Sequence, residues 1–211
     1  FGCLVGSEMC IRDRCLGGEE ESSDDMVVLP ILEDPCLIPS SLMTQSLTSI
    51  EVNGVEREFR LSAPSSEPGT RLPLVIAFHG GTDSQEDFAQ QEQFDQLGEQ
   101  EKFIMAYAIA EQDRTAAEGE WFLNTAATSE EDNNFAEAIV DELSESYCVD
   151  QDRLYAIGYS LGAMFTYEIA CQLNHRFAAT ASFAGTMPVN PESCDIARGI
   201  GILPVSYTHL R

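Results

Sequence analysis

A serine enclosed by two glycines is the clearest chemical signal in the chain. Gly158, Ser160 and Gly162 form the pattern G-x-S-x-G between a short apolar run and an apolar segment with helical character. In a strand–turn–helix unit, the glycines permit a turn too tight for side chains, and the turn presents the serine hydroxyl above a sheet edge. The N–H of Leu161, at the start of the helix, can then donate to the oxyanion of an attacked ester carbonyl. The pattern predicts Ser160 as a nucleophile, with a structural glycine-rich turn as the alternative.

A second glycine pair could complete the oxyanion hole. Gly80 and Gly81 follow His79 directly after an earlier apolar run, where the second oxyanion donor of such a fold belongs. Trp121, the sole tryptophan, could stack on a sugar or an aromatic acid, with core or loop packing as the alternative. Tyr159 could line the acyl pocket or pack beneath the turn.

The general base and the acid of a triad cannot be assigned. His79 precedes the serine and belongs to the oxyanion loop, His175 lies about 20 Å away at the far end of the predicted helix, and His209 lies in an unusual tail. Asp195 precedes the last predicted strand rather than following it. Asp132 or Asn133 is predicted to cap a helix, with orientation of substrate as the alternative role of Asp132. We therefore expect a fragment without the triad Asp and His, nearly inactive, with an unfinished sheet edge.

Strand and helix patterns alternate along the central region. The dipeptide Asn53-Gly54 predicts a hairpin within residues 47–61, and unbroken apolar runs predict buried strands. The remaining predicted strands are 72–78, 103–108, 153–158, 177–184 and 201–205, and the predicted helices are 84–100, 132–147 and 163–173. This alternation favours an α/β fold with a mostly parallel sheet and flanking helices, incomplete at the C-terminus.

The charge excludes several classes of function. The 211 residues carry 36 acidic and 11 basic side chains, a net charge of −25. Such a chain repels phosphate backbones and anionic lipid surfaces, so we expect neither nucleic-acid binding nor a polybasic anchor. No apolar run is long enough for a transmembrane segment. We expect an acidic solvated surface rather than a cation site, because no EF-hand-like spacing occurs, and we assign no metal or cofactor.

The seven cysteines contain no CxxC pair, which argues against a zinc or thioredoxin-like site. Cys171 and Cys194 flank a predicted strand and could form a disulfide in an oxidising compartment, with buried free thiols as the alternative.

The two ends differ from the central region. Residues 1–14 and 206–211 resemble translated sequencing-adapter read-through, and we exclude them from the fold. Residues 15–45 are predicted to be an acidic flexible tether, and 46–205 the folded domain. Cys15, followed by small residues, resembles the mature start of a bacterial lipoprotein and is a possible lipid anchor, with an ordinary disordered N-terminus as the alternative.

The central region resembles the secreted α/β-hydrolase esterases that include polyhydroxybutyrate depolymerases, feruloyl esterases and acetylxylan esterases. The resemblance rests on PLVIAFHGG, the loop from Trp121 to Asn124, EDNNFAEAIVDEL, YCVDQDRLYAIGYSLGAMFTYEIACQL and FAATASFAG. It implies an extracytoplasmic serine esterase acting through an acyl-enzyme on a polymeric or oligomeric ester, with Ser160 as nucleophile and Leu161 and the Gly80–Gly81 segment as oxyanion donors. A non-catalytic polymer-binding relative and a serine peptidase of the same fold remain as alternatives.

Overall fold

The computed structural model describes residues 34–81, 88, 93–111, 121–123, 130–187, 192, 194 and 196–206. The chain divides into residues 1–32 and residues 33–211, and the description below concerns the second unit.

A seven-stranded sheet organises the described residues, with the strand order β1-β2-β4-β3-β5-β6-β7. Strand β2 runs antiparallel to β1 and β4, and the remaining neighbours are parallel. The strands are β1 Met43–Val52, β2 Val55–Ala63, β3 Leu72–Phe78, β4 Ile104–Ala108, β5 Val149–Tyr159, β6 Ala179–Phe183 and β7 Gly201–Val205. The predicted mostly parallel α/β architecture is confirmed.

The β1–β2 hairpin turns at the predicted dipeptide. Asn53 and Gly54 both have positive φ, 53° and 83°. Two consecutive positive values match the twist of a two-residue hairpin turn, which explains the preference for Asn-Gly there. Strands β3 and β4 are the unbroken apolar runs of the sequence, and their side chains form much of the core because neighbouring strands and helices cover both faces.

Three α-helices are described: α1 Phe94–Glu101, α2 Glu131–Ser146 and α3 Leu161–Gln172. Helix α3 packs on β5 and β6 and is buried on most of its surface. It begins two residues earlier than predicted, directly after Ser160. Gly98 lies in the last turn of α1 and packs on Phe103.

The folded unit starts before the predicted boundary. A short 3₁₀-helix spans Pro35–Leu37, Ser40 forms a two-residue bridge with Ser66, and Cys36 is disulfide-bonded to Cys148. The tether was predicted to reach residue 45; the structure places residues 34–45 in the fold, because the disulfide and the first strand hold them there. The predicted end segment 1–14, the possible anchor Cys15 and residues 207–211 lie outside the described residues.

A second disulfide joins Cys171, at the end of α3, to Cys194, as predicted from the sequence. Asn174 reinforces this attachment, because its Oδ1 accepts hydrogen bonds from the N–H groups of Ala197 and Arg198. Three described residues between β6 and β7 are thereby fixed to the C-terminal end of α3, namely Cys194, Ala197 and Arg198. Within the described part of the chain, no helix is long and apolar enough to cross a membrane.

Candidate active site

Ser160 occupies a sharp turn between β5 and α3. Its φ of 51° and ψ of −113° place a non-glycine residue at positive φ, which stores backbone strain of roughly 1–3 kcal/mol. Two hydrogen bonds hold this turn: the Ser160 N–H donates to the Phe183 carbonyl at 2.9 Å, and its carbonyl accepts from the Met164 N–H at 3.1 Å. Ser160 is exposed. Its position at the carboxyl end of a central parallel strand is where the G-x-S-x-G pattern requires it.

The two flanking glycines are required by close approach of the backbone. A Cβ on Gly158 would overlap the main chain of Gly162 and lie 2.7 Å from the Ala163 nitrogen. A Cβ on Gly162 would overlap the carbonyl groups of Phe78 and His79. The close approach at Gly158 allows the serine turn to be tight, and the close approach at Gly162 packs the start of α3 against the end of β3. Any larger residue would separate these two segments.

The predicted oxyanion donors are adjacent. Leu161 is the first residue of α3, so its N–H has no partner within the helix. The Gly81 Cα faces the Leu161 side chain so closely that a Cβ there would lie 3.3 Å from Leu161 Cδ2. The loop after β3 and the start of α3 therefore meet beside the serine. This arrangement brings Gly80, Gly81 and Leu161 to one side of the turn.

His79 serves as a structural anchor of that loop. It is 1% exposed, and its Nε2 accepts the Ala110 N–H at 3.2 Å. Its Nδ1 lies 2.7 Å from the Gly80 carbonyl oxygen, so Nδ1 carries the proton and donates. Both ring nitrogens are thus engaged with backbone.

Trp121 lies in the core rather than on a substrate-facing surface. It is 3% exposed, and its Nε1–H donates to the His79 carbonyl at 2.9 Å. Its ring stacks on Phe165 with centroids 5.5 Å apart and meets Phe78 edge-on at 5.1 Å. The substrate-lining role predicted for Trp121 is therefore replaced by the packing alternative.

Asp132 does not cap its helix. Helix α2 begins at Glu131, so Asp132 lies within the first turn and is fully buried. Its Oδ1 accepts from the Arg57 guanidinium at 2.9 Å, and its Oδ2 accepts the Phe122 N–H at 2.7 Å. The carboxylate holds the Trp121–Leu123 segment instead of the helix end, which corrects the predicted capping role.

Arg57 was missed by the sequence analysis. In β2 it alternates with Phe59 and Leu61, and all three are buried on the same face. Its guanidinium carbon lies 4.1 Å from the centroid of the Phe135 ring. An arginine at a core-facing strand position requires a charged or hydrogen-bonding partner. The place of Arg57 in the alternating pattern of β2 was therefore the signal from which its buried role could have been predicted.

The loop after β6 also borders the serine turn. Ala184 has a φ of 57° and donates its N–H to the Val205 carbonyl at 2.8 Å. A Cβ on Gly185 would lie 2.6 Å from the Ala163 Cβ, so this loop packs on the first turn of α3. Tyr159 is 42% exposed beside Ser160, so its ring does not pack beneath the turn.

Neither described histidine is placed to act as the base. His175 follows α3 at the end opposite Ser160, is 52% exposed and lies 3.5 Å from Glu137 of α2. His79 is engaged as described above. His209 and Asp195 lie outside the described residues. The residues that the structure describes contain no cluster of His, Cys, Asp and Glu that could hold a metal ion.

Solved structures share this architecture. The acetyl xylan esterase from Aspergillus awamori superimposes with a TM-score of 0.53 and 21% identity, over 67% of this chain and 52% of that enzyme. The S-formylglutathione hydrolase FrmB from Staphylococcus aureus gives 0.56 and 12% identity, over 70% and 59%. Together with the sheet described above, these likenesses show the α/β-hydrolase fold.

Sequence relatives agree with the fold. A protein described as an esterase, NocK from Nocardia uniformis subsp. tsuyamanensis, is 30% identical over 174 residues, 79% of this chain and 48% of its own length. The bifunctional acetylxylan esterase/xylanase XynS20E of Neocallimastix patriciarum is 27% identical over 63% of this chain and 18% of its own length. The chain thus spans about half, or less, of the curated relatives it matches.

A family model described as "Esterase PHB depolymerase" matches residues 58–198, from the middle of β2 to the segment before β7. The match includes the serine turn and both glycine pairs, and it begins one residue after Arg57. With its α/β-hydrolase fold and its esterase relatives, the chain belongs to the PHB depolymerase family of esterases.

Proposed function

We propose that Ser160 is the nucleophile of a serine carboxylic-ester hydrolase that works through an acyl-enzyme. The observation that carries this proposal is the meeting of three features at one sheet edge. These are the strained, exposed Ser160, the start of α3, and the Gly80–Gly81 loop that packs on Leu161. An exposed hydroxyl beside the first backbone N–H of a helix suits attack on a carbonyl.

Each group has one role in the proposed reaction. The Ser160 oxygen attacks the ester carbonyl, its proton passes to a base, and the carbonyl π electrons move onto oxygen. The Leu161 N–H and the Gly80–Gly81 segment stabilise that oxyanion. When the tetrahedral intermediate collapses, the alcohol leaves with the proton, and water later releases the acid by the same route in reverse.

We further propose that the base and its orienting acid come from residues other than the described ones. His79 uses both ring nitrogens on backbone, and His175 lies at the other end of α3, about 18 Å of helical rise from Ser160. Because His209 lies in the adapter-like segment 206–211 and Asp195 precedes the last strand, we expect the 211-residue chain alone to be nearly inactive, and a longer form that supplies both groups to be active.

The proposed substrate is an extracytoplasmic polyester or plant-polysaccharide ester. Names of relatives support this class: one is an acetylxylan esterase/xylanase and another a probable feruloyl esterase. Two disulfides among the described cysteines support an oxidising compartment. Lipidation of Cys15 would hold the enzyme at a membrane surface and is part of this proposal.

A fluorophosphonate probe tests the nucleophile. In an extended form of the protein that continues its natural sequence after Val205, without the adapter-like residues 206–211, we expect probe labelling and p-nitrophenyl acetate hydrolysis, and we expect Ser160→Ala to abolish both. Ser49→Ala is the matched control, because Ser49 is an exposed serine on β1. Its labelling and turnover should equal those of the parent.

Other outcomes would identify the alternatives. Absence of labelling and turnover in the extended form, with retained polymer binding, would contradict the enzyme and support a binding module. Turnover of casein but not of p-nitrophenyl acetate, both lost in Ser160→Ala, would replace the esterase by a peptidase.

A further inference from the structure

A continuous set of buried contacts connects Arg57 on β2 to the Gly80–Gly81 loop. Arg57 donates to one oxygen of Asp132, and the other oxygen accepts the Phe122 N–H. Trp121, the residue before Phe122, donates its indole N–H to the His79 carbonyl. His79 immediately precedes the two glycines. Each side chain in this set is at least 95% buried: Arg57, His79, Trp121 and Asp132 are 4%, 1%, 3% and 0% exposed.

From these contacts we infer that Asp132 is a positioning residue for the oxyanion loop, acting through Trp121 and His79. This inference rests on the proposed function of that loop. The influence of Asp132 on the loop passes through backbone and indole hydrogen bonds.

The chemistry of the site explains why a carboxylate is needed. Two donors, the Arg57 guanidinium and the Phe122 N–H, approach Asp132 on separate oxygens at 2.9 and 2.7 Å. A carboxylate has two acceptor oxygens, whereas an amide has one acceptor and one donor. Asparagine at this position can satisfy only one of the two donors and turns an N–H₂ group towards the other.

Movement of the Trp121–Leu123 segment would be transmitted to the loop that contains Gly80 and Gly81. The indole ring packs against both Phe78 and Phe165, which also contact each other, so a shift of Phe122 is passed to a tightly packed ring. That group holds the His79 carbonyl, which also borders the start of α3 at Gly162. A displacement of about 1 Å in a catalytic group can reduce rates about a hundredfold.

Asp132→Asn is the first test variant, and Arg57→Met with Asp132→Asn is the second. In the double variant, no guanidinium competes for the amide oxygen, which can accept the Phe122 N–H again. The methionine also removes the buried Arg57 Nε, which has no hydrogen-bond partner. Asp141→Asn is the matched control, because Asp141 lies on the same helix, is 66% exposed and pairs with Arg176.

The kinetic test uses the extended, active form and p-nitrophenyl acetate. With active sites titrated by fluorophosphonate, we expect Asp132→Asn to lower kcat per active site about tenfold to a hundredfold. KM should change less than about threefold, because the oxyanion contact is made mainly in the transition state. The double variant should recover most of the lost kcat, and Asp141→Asn should match the parent. An unchanged kcat per site in Asp132→Asn, or an equal loss in the double variant, would overturn the inference.

A second measurement does not depend on activity. The chain has one tryptophan, so one indole N–H signal reports on the bond to His79. We expect Asp132→Asn to speed solvent exchange of that indole about tenfold, with the amides of β3 unchanged, and the double variant to reverse the effect. Unchanged indole exchange would overturn the inference even if the esterase itself proved inactive. Loss of probe labelling in the parent would instead overturn only the proposed function.

If Asp132→Asn fails to fold, Trp121→Phe provides the decisive comparison. It retains an aromatic ring against Phe78 and Phe165 but lacks the donor to the His79 carbonyl. We expect its kcat per titrated site to fall about tenfold with KM unchanged. Parental kcat in this variant would contradict the proposed route through Trp121.

Discussion

At the scale of single residues, the serine turn depends on positions where no side chain fits. Ser160 tolerates positive φ because Gly158 and Gly162 let the strand end, the turn and the helix start approach within backbone contact. The strain is maintained by packing on both sides, from β3 and from the loop after β6. Loss of either glycine should therefore affect folding as well as catalysis.

Gly162→Ala tests this dependence. The added methyl group would overlap the carbonyls of Phe78 and His79, and main chain cannot give way as a flexible side chain can. We expect the free energy of unfolding to fall by about 3 kcal/mol or more, measured by urea denaturation.

Gly199→Ala is the control for that substitution. Gly199 is exposed, has no atom within 4 Å of the added Cβ and has no positive φ. Its free energy of unfolding should stay within about 0.5 kcal/mol of the parent. A small effect in Gly162→Ala would show that α3 can move away from β3 without cost.

Some residue roles could be predicted from the sequence and others could not. The G-x-S-x-G spacing has one mechanical use after a strand, so the turn at Ser160 followed from its pattern. The role of Asp132 did not, because an acidic residue near a helix start has a local explanation as a cap. Its partners Arg57 and Phe122 are 75 and 10 residues away along the chain, so only tertiary structure reveals them.

At the scale of elements, the order of the strands in the sheet was the feature hardest to predict from the sequence. Apolar runs located β3, β4 and β7 to within a residue. Strands β3 and β4 carry an uninterrupted apolar pattern because they are buried, whereas β7 is an exposed edge strand. The placement of β4 between β2 and β3 depends on which faces the helices cover, and no local pattern encodes that choice. The same limit hid the attachment of Cys36 to Cys148.

The two disulfides should contribute unequally to stability. The Cys36–Cys148 bond joins residues 112 apart, whereas the Cys171–Cys194 bond joins residues 23 apart. Loop-closure entropy of the unfolded chain predicts about 5 kcal/mol for the first and about 3 kcal/mol for the second.

Paired Cys-to-Ser replacement at each bond would measure this difference. We expect the variant without the Cys36–Cys148 bond to unfold at the lower urea concentration. The reverse order would show that the unfolded chain keeps structure around the longer loop, or that native contacts such as the Asn174–Arg198 hydrogen bonds outweigh the entropy difference.

At the scale of the whole molecule, the net charge of −25 is the dominant property. The sequence has a single lysine, and described pairs such as Lys102–Glu99 and Arg153–Asp150 compensate only a few carboxylates. These two pairs are solvent-accessible and hold the pKa of Glu99 and of Asp150 below the ordinary values. Most of the acidic surface therefore repels itself at neutral pH.

Salt should consequently stabilise the protein. Raising NaCl from about 0.01 M to about 1 M shortens the Debye length from about 30 Å to about 3 Å, which screens the repulsion. We expect the melting temperature at pH 7 to rise by roughly 5 °C, measured by circular dichroism. The same titration at pH 4, where many carboxylates are protonated, should give a smaller rise. An equal rise in melting temperature at both pH values would show that salt acts by strengthening hydrophobic burial rather than by screening charge.

The long cross-link has a practical consequence for anyone handling the protein. A protease cut anywhere between residues 37 and 147 leaves two pieces that remain covalently joined through Cys36 and Cys148. Such nicked material would migrate as one band without thiol reagent and separate into two bands with it. A gel run without thiol reagent would therefore conceal cleavage of the segments that carry Gly80, Gly81 and Trp121.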